Sequence, residues 1–213
     1  MYLSAFEPSC ILILKMSENT TNNKTSYGKI ALTSSSALLA AQWVMAAVSI
    51  PSANDYATQL ADGTAPENIV TMYDNLSLLI TITLVWTWIA TTRFLLPLYD
   101  QVTQANPEAI KYRRLWVTWG WLAPVVSFWF PKRIIDGLLK SKVTQTDQQK
   151  LVSRATGTWW ATWISFVLIN DLSAFNAITG AATPIQPSYE IAAACMLTAS
   201  YTVWSKILKT LAS

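Results

Sequence analysis

The chain contains no histidine and only two cysteines, Cys10 and Cys195, and charged residues fill just 13% of its 213 positions. Soluble domains carry about twice that share of charge, so the polar surface that a water-exposed fold of this size needs is missing. Without histidine there is no histidine-ligated zinc, copper or haem, and no Ser-His or Cys-His nucleophile pair. Two cysteines make neither a metal cluster nor a disulfide framework. There is no GxGxxG fingerprint and no phosphate-binding loop. The expectation is a non-enzymatic membrane protein with no cofactor, no metal and no nucleic-acid partner.

The charge-free runs locate the membrane segments. Residues 30–54 are 25 positions without a charge, enough helix for about 37 Å. A bilayer core is about 30 Å thick and takes roughly 20 apolar residues. A first span is therefore predicted near 30–50, ending at Pro51. A second covers 75–96, because Arg93 can snorkel from a helix end and Pro97 makes a stop. A third run, 115–131, has 17 residues with Pro124 in its middle. A fourth lies near 155–172 and a last near 188–208, after Pro184 and Pro187.

Basic residues decide which of these cross. Lys and Arg stay on the cytoplasmic side of short loops. Lys15, Lys24 and Lys29 precede the first span, whereas residues 51–74 hold four carboxylates and no base. Arg93, Lys111, Arg113 and Arg114 follow the second span, and Lys132, Arg133, Lys140, Lys142, Lys150 and Arg154 follow the third run. Residues 171–190 again lack Lys and Arg, and Lys206 and Lys209 lie near the end of the sequence. If 115–131 enters and leaves by one face, all 15 basic residues lie on one side. The predicted fold is thus all-α: four transmembrane helices in the cytoplasmic membrane, both termini cytoplasmic, plus one cytoplasmic-side re-entrant or interfacial segment. Residues 1–29 read as a polar, flexible segment with Met16 as an alternative start, and residues 30–213 as a single helical domain. The apolar stretch 10–14 has no basic residue before it and no cleavage site, so it does not read as a signal peptide.

The most distinctive stretch contains Trp119-Gly120-Trp121, Pro124, Trp129, Pro131, Lys132 and Arg133, followed by residues 134–140 as an amphipathic helix. It resembles a family of actinobacterial membrane proteins known only as a domain of unknown function, with a Trp-Gly-Trp-x-x-Pro core and a later Trp-x-Pro-Lys/Arg. Leu84-Val85-Trp86 and the Thr158–Trp163 run extend the resemblance over roughly residues 35–210. Ser127, where many members carry Asn, and Gly137 depart from the pattern. The resemblance implies a small polytopic membrane protein and carries no activity.

Each conspicuous feature has a sharp and a plain reading. Trp116, Trp119, Trp121 and Trp129 could form a flat surface for a lipid, a quinone or a subunit, but Trp collects at headgroup depth anyway. Arg113, Arg114, Lys132 and Arg133 could hold anionic headgroups, or simply set topology. Asp74, Asp171 and Glu190 sit at predicted span ends, where capping is the plain reading, and no two carboxylates share an apolar segment for acid–base work. Small residues at Thr33, Ala37 and Ala41, and across 192–200, allow close helix packing. Two functions follow as expectations. The first is a non-catalytic accessory subunit of a larger membrane complex, a respiratory assembly by preference, with an integral-membrane protein as partner. The second is a stand-alone binder or transporter of lipid or a small hydrophobe. Membrane lipids are partners in both.

The topology is directly testable. In a background lacking Cys10 and Cys195, Thr64→Cys and Thr183→Cys should label with a membrane-impermeant maleimide on intact cells. Thr146→Cys should not, and its labelling would overturn the assignment.

Overall fold

Long charge-poor runs can satisfy their backbone in an apolar medium only by closing hydrogen bonds within the segment, which means helix. The computed structural model, which describes residues 8–121, 126–143, 145–179 and 183–212, follows that rule. Its regular elements among the described residues are all helical: α1 (Pro8–Ala61), α2 (Met72–Ala105), α3 (Leu115–Trp119), α4 (Phe130–Lys140), α5 (Thr146–Ile178) and α6 (Pro187–Ala212), with short 3₁₀ turns at Pro66–Asn68 and Val126–Phe128. Four stretches are long and apolar enough to cross a membrane: Ser26–Ala61 of α1, and the whole of α2, α5 and α6. The chain is a multi-pass membrane protein by length and composition. The expected turning point of 115–131, Pro124, lies outside the described residues.

Two proline stops prove not to be stops. α1 continues through Pro51 to Ala61, and α2 through Pro97 to Ala105. A proline removes one donor and crowds one carbonyl, which breaks a helix whose next turn has nothing to hold it. Here the turns on both sides are packed. Ser49 and Ser52 flank Pro51 and are buried, and Phe94, Leu95, Leu98 and Tyr99 flank Pro97 and are buried. Among the described residues α1 is already helical from Pro8, within the stretch that composition marks as flexible.

Each long helix has a base toward one end and a carboxylate toward the other: Lys29 and Asp55 on α1, Arg93 and Asp74 on α2, Arg154 and Asp171 on α5, Lys206 and Glu190 on α6. The helices alternate in direction, so the bundle has a basic end and an acidic end. The central pair is α1 and α6. The buried positions of α1 include Ala31, Ser35, Leu38, Gln42, Met45, Ser49 and Ser52, and those of α6 include Glu190, Ala193, Leu197, Ser200, Trp204, Ile207 and Leu211. Both sets repeat in alternating steps of three and four, the seam of a left-handed helix pair. Thr33 is exposed and Ala37 only half-buried, so the packed face of α1 lies to one side of the Thr33–Ala37–Ala41 line. Ser34 and Ser35 return their hydroxyls to the Ala31 carbonyl, at 3.0 and 2.8 Å. That satisfies a polar group in an apolar seam. Across the pair, Trp204 Nε1 donates to Ser35 Oγ at 3.2 Å, and Ser36 Oγ and Tyr201 Oη lie 2.7 Å apart.

α4 closes the basic end. Its residues Pro131, Ile134, Ile135, Leu138 and Leu139 are buried, while Arg133 is exposed and Lys140 half-exposed. These aliphatics join Phe94, Leu95 and Leu98 of α2, Trp159 and Trp160 of α5 and Ile207, Leu208 and Leu211 of α6 in one core. Asp136 pins the helix to α5 by accepting from Ser153 and Thr156 at 3.2 and 3.0 Å, and it pairs with Lys140 at 2.6 Å. Lys142 Nζ donates to the carbonyls of Thr210 and Leu211, both at 3.0 Å. A cation there meets the negative end of α6 and caps its last carbonyls.

This core sets a stability expectation. Ile135 is 0% exposed, so Ile135→Ala should cost about 2–5 kcal/mol and lower the thermal midpoint in detergent. Leu151→Ala, at a side chain 62% exposed, should leave the midpoint nearly unchanged.

Candidate functional site

Because α1 and α6 form the central pair, α2 packs on α1 and α5 on α6, and the two outer helices stand apart. The space between them is a cavity of about 350 Å³. α2 contributes Ile80, Leu84, Thr87, Trp88 and Thr91, and α5 contributes Trp160, Trp163, Phe166, Val167, Asn170 and Asp171 among others. Leu84 and Phe128, on its rim, are exposed. The floor toward the basic end is made by Trp121, Ser127 and Phe128 from the segment that joins α3 to α4.

That floor is irregular backbone, so its carbonyls need donors. α3 has five residues, too few to satisfy its own C-terminal carbonyls. Trp88 Nε1 donates to Thr118 O at 3.0 Å, Trp121 Nε1 to Val117 O at 3.1 Å, and Gly120 N–H to Trp116 O at 3.1 Å. Beyond the turn, Trp160 Nε1 donates to Phe128 O at 2.8 Å. An indole has one donor and no acceptor, which suits it to cover a lone carbonyl inside an apolar wall. Gly120 is required at its position, since a Cβ would lie 2.5 Å from Trp116 O. The indoles then pack on each other: Trp121 meets Trp159 and Trp160 edge-on, each at 6.2 Å, and Trp159 stacks on Trp204 at 4.8 Å.

The two ends of the segment meet. Phe130 lies 4.7 Å from the Tyr112 ring and 4.8 Å from Trp116, and Arg133 donates to the Tyr112 hydroxyl at 2.9 Å. Arg114 holds Asp100 with two bonds, of 2.8 and 3.0 Å. That carboxylate raises the guanidinium pKa above its ordinary value, chiefly through the hydrogen bond. Between these anchors the chain reaches the level of Trp88, 12 residues along α2 from Asp100, which is about 18 Å.

Toward the acidic end the character changes. A second cavity, of about 480 Å³, shares Ile80, Asn170 and Asp171 with the first and is lined further by Gln42, Tyr73, Ser77, Thr81, Ser173 and Glu190. Glu190 is only 5% exposed. Its carboxylate accepts from Gln42 Nε2 at 2.9 Å and from the Tyr73 hydroxyl at 2.6 Å, which ties α6 to α1 and α2. Asp74, by contrast, caps its own helix, accepting from Thr71 N–H and Oγ1, both at 2.8 Å. Neither cavity is lined by Lys or Arg.

The structure disperses the residues that the sequence singles out. Trp121 turns into the cleft, and Trp116 is half-buried against Phe130. Trp119 is 51% exposed beside Trp88, and Trp129 is exposed. Pro131 is buried in α4, Lys132 is half-buried, and Arg113 is exposed. Pro124 lies outside the described residues. The four tryptophans therefore do not share one surface, and Arg114 and Arg133 are engaged with Asp100 and Tyr112. Sequence reasoning missed the wall residues Trp88, Trp163 and Asn170, and it set Glu190 and Asp171 aside as span ends. One signal was available: Gln42 is a polar residue midway along the charge-free run 30–54, where a buried partner is to be expected.

No curated protein and no solved structure matches the chain significantly. Residues 57–212 match a family described as "Domain of unknown function (DUF4328)". The match takes in α2 through α6, the whole floor segment and both walls of the cleft, and on that extent the chain belongs to the DUF4328 family.

Proposed function

We propose that this protein binds a membrane lipid or another small hydrophobe between α2 and α5, as a non-catalytic protein of the cytoplasmic membrane. The observation that carries this reading is the 350 Å³ cleft, walled by Trp88, Trp160, Trp163 and Phe166 and rimmed by exposed apolar side chains. Its volume is in the range of small-molecule sites, and an apolar wall with a few convergent polar groups is their usual make-up.

Orientation follows from charge. The basic end carries Arg93, Lys132, Arg133, Arg154 and Lys206, so by the positive-inside rule it is cytoplasmic, with both termini on that side. The segment 115–131 is then a cytoplasmic-side dip. Three observations support this: its ends meet at Tyr112 and Phe130, Thr118 within it accepts from the Trp88 indole, and Trp160 covers the Phe128 carbonyl. An actinobacterial host, and the Trp-Gly-Trp-x-x-Pro pattern as the family's mark, belong to the same proposal. The accessory-subunit reading, with a respiratory complex as partner, has no geometric feature of its own. The exposed apolar faces of α2 and α5 serve equally well against lipid.

The test is purification in a mild detergent followed by native mass spectrometry. The chain should carry one lipid or hydrophobe per copy. Leu84→Trp, which fills the cleft from its rim, should reduce that occupancy at least tenfold, and Leu151→Trp should not. A stoichiometric protein partner with an empty cleft would favour the accessory subunit instead.

A further inference from the structure

We infer that the occupant of the cleft is a lipophilic cation, an amine or quaternary ammonium whose charge sits beside Glu190 and Asp171 and whose apolar part lies against Trp163 and Phe166. This rests on the cleft being a binding site, as proposed above, and names the chemistry of its ligand. The first ground is a buried carboxyl group with no basic partner among the described residues. Glu190 is nine-tenths buried, and its two hydrogen-bond donors, Gln42 and Tyr73, are both neutral. None of the ion pairs among the described residues involves it. A buried carboxylate without a cation is costly in an apolar medium. Each carboxylate oxygen also has two lone pairs, and the structure uses one on each.

The second ground is position. Glu190 is 16 residues along α6 from Lys206, and Asp171 is 17 along α5 from Arg154. At 1.5 Å per residue these are about 24 and 26 Å, so the two carboxylates lie at similar distances along their helices from the basic end. Ile80, Asn170 and Asp171 line both cavities, so Asp171 borders the two spaces while Glu190 lines the second. No Lys or Arg among the described residues lines this space, and the 480 Å³ beside Glu190 is room for a molecular cation.

The third ground is the wall. Aromatic faces attract ammonium groups, most strongly when both are desolvated, and the cavity that adjoins the acids is lined by Trp88, Trp163 and Phe166. An anion of the same size would meet two like charges and no Lys or Arg. Charge complementarity therefore selects the cation.

Tetraphenylphosphonium and tetraphenylborate provide a matched pair, alike in size and shape and opposite in charge. The full chain in phosphatidylcholine nanodiscs should bind tetraphenylphosphonium saturably, above the level of empty nanodiscs, and should not bind tetraphenylborate. Glu190→Gln should weaken the cation at least tenfold, Asp171→Asn by less, and Leu84→Trp should abolish binding. Should Glu190→Gln fail to fold, the comparison of the two probes on the unaltered protein decides alone. Equal binding of both ions, preference for the borate, or a folded Glu190→Gln protein with unchanged affinity would each overturn the inference. If a co-purified neutral lipid is meanwhile lost with Leu84→Trp, the cleft is a binding site and only its charge preference has failed. If neither probe nor lipid occupies it, both readings fall.

Discussion

The close approach of α1 and α6 is the constraint on which the rest of this bundle depends. Alanines and serines are buried along α1, as are Ala193, Ala194 and Ser200 along α6, and small side chains are what allow two helices to pack tightly where lipid offers no hydrophobic drive. The serines remain acceptable there because Ser34, Ser35 and Ser49 return their hydroxyls to their own helix. With the centre occupied by this pair, α2 and α5 can pack only on opposite flanks. The cleft between them is a consequence of that arrangement.

The cleft would be an open slot without its floor, and the floor exists because indoles substitute for water. Segment 115–131 includes a five-residue helix and a 3₁₀ turn, neither of which satisfies its own backbone. Unpaired carbonyls cost several kcal/mol each in hydrocarbon. Trp88 and Trp160 reach in from the two walls and cover Thr118 and Phe128. The same residues that line the cleft thus hold the backbone of its floor in place. Below them, the α4 aliphatics and the Lys142 cap on α6 lock the basic end into one core.

Polarity along the cleft runs from indole to carboxylate. At the Trp121 level the walls are aromatic, at Asn170 and Asp171 they become polar, and at Glu190 a carboxylate joins three helices. The basic clusters lie at the other end, where Arg114 and Arg133 are already bound to Asp100 and Tyr112. Arg114 ties the start of the floor segment to α2, and Arg133 ties its far end back to Tyr112.

The sequence by itself determined the four long helices, their alternating direction and the amphipathic α4, because charge spacing and helical period are local properties of the chain. It also marked 115–131 as a segment with both ends on the basic side. Only the tertiary structure decided that α1 and α6 are neighbours, since Ser35 and Trp204 are 169 residues apart and nothing in hydropathy orders helices around a bundle. Packing on both sides carried the helices through Pro51 and Pro97, where local rules predict a stop. Tertiary contact also turned Glu190 from a helix-end acid into a buried bridge. Its position on α6 is that of a cap, but Gln42 and Tyr73, from two other helices, hold its carboxylate at the second cavity.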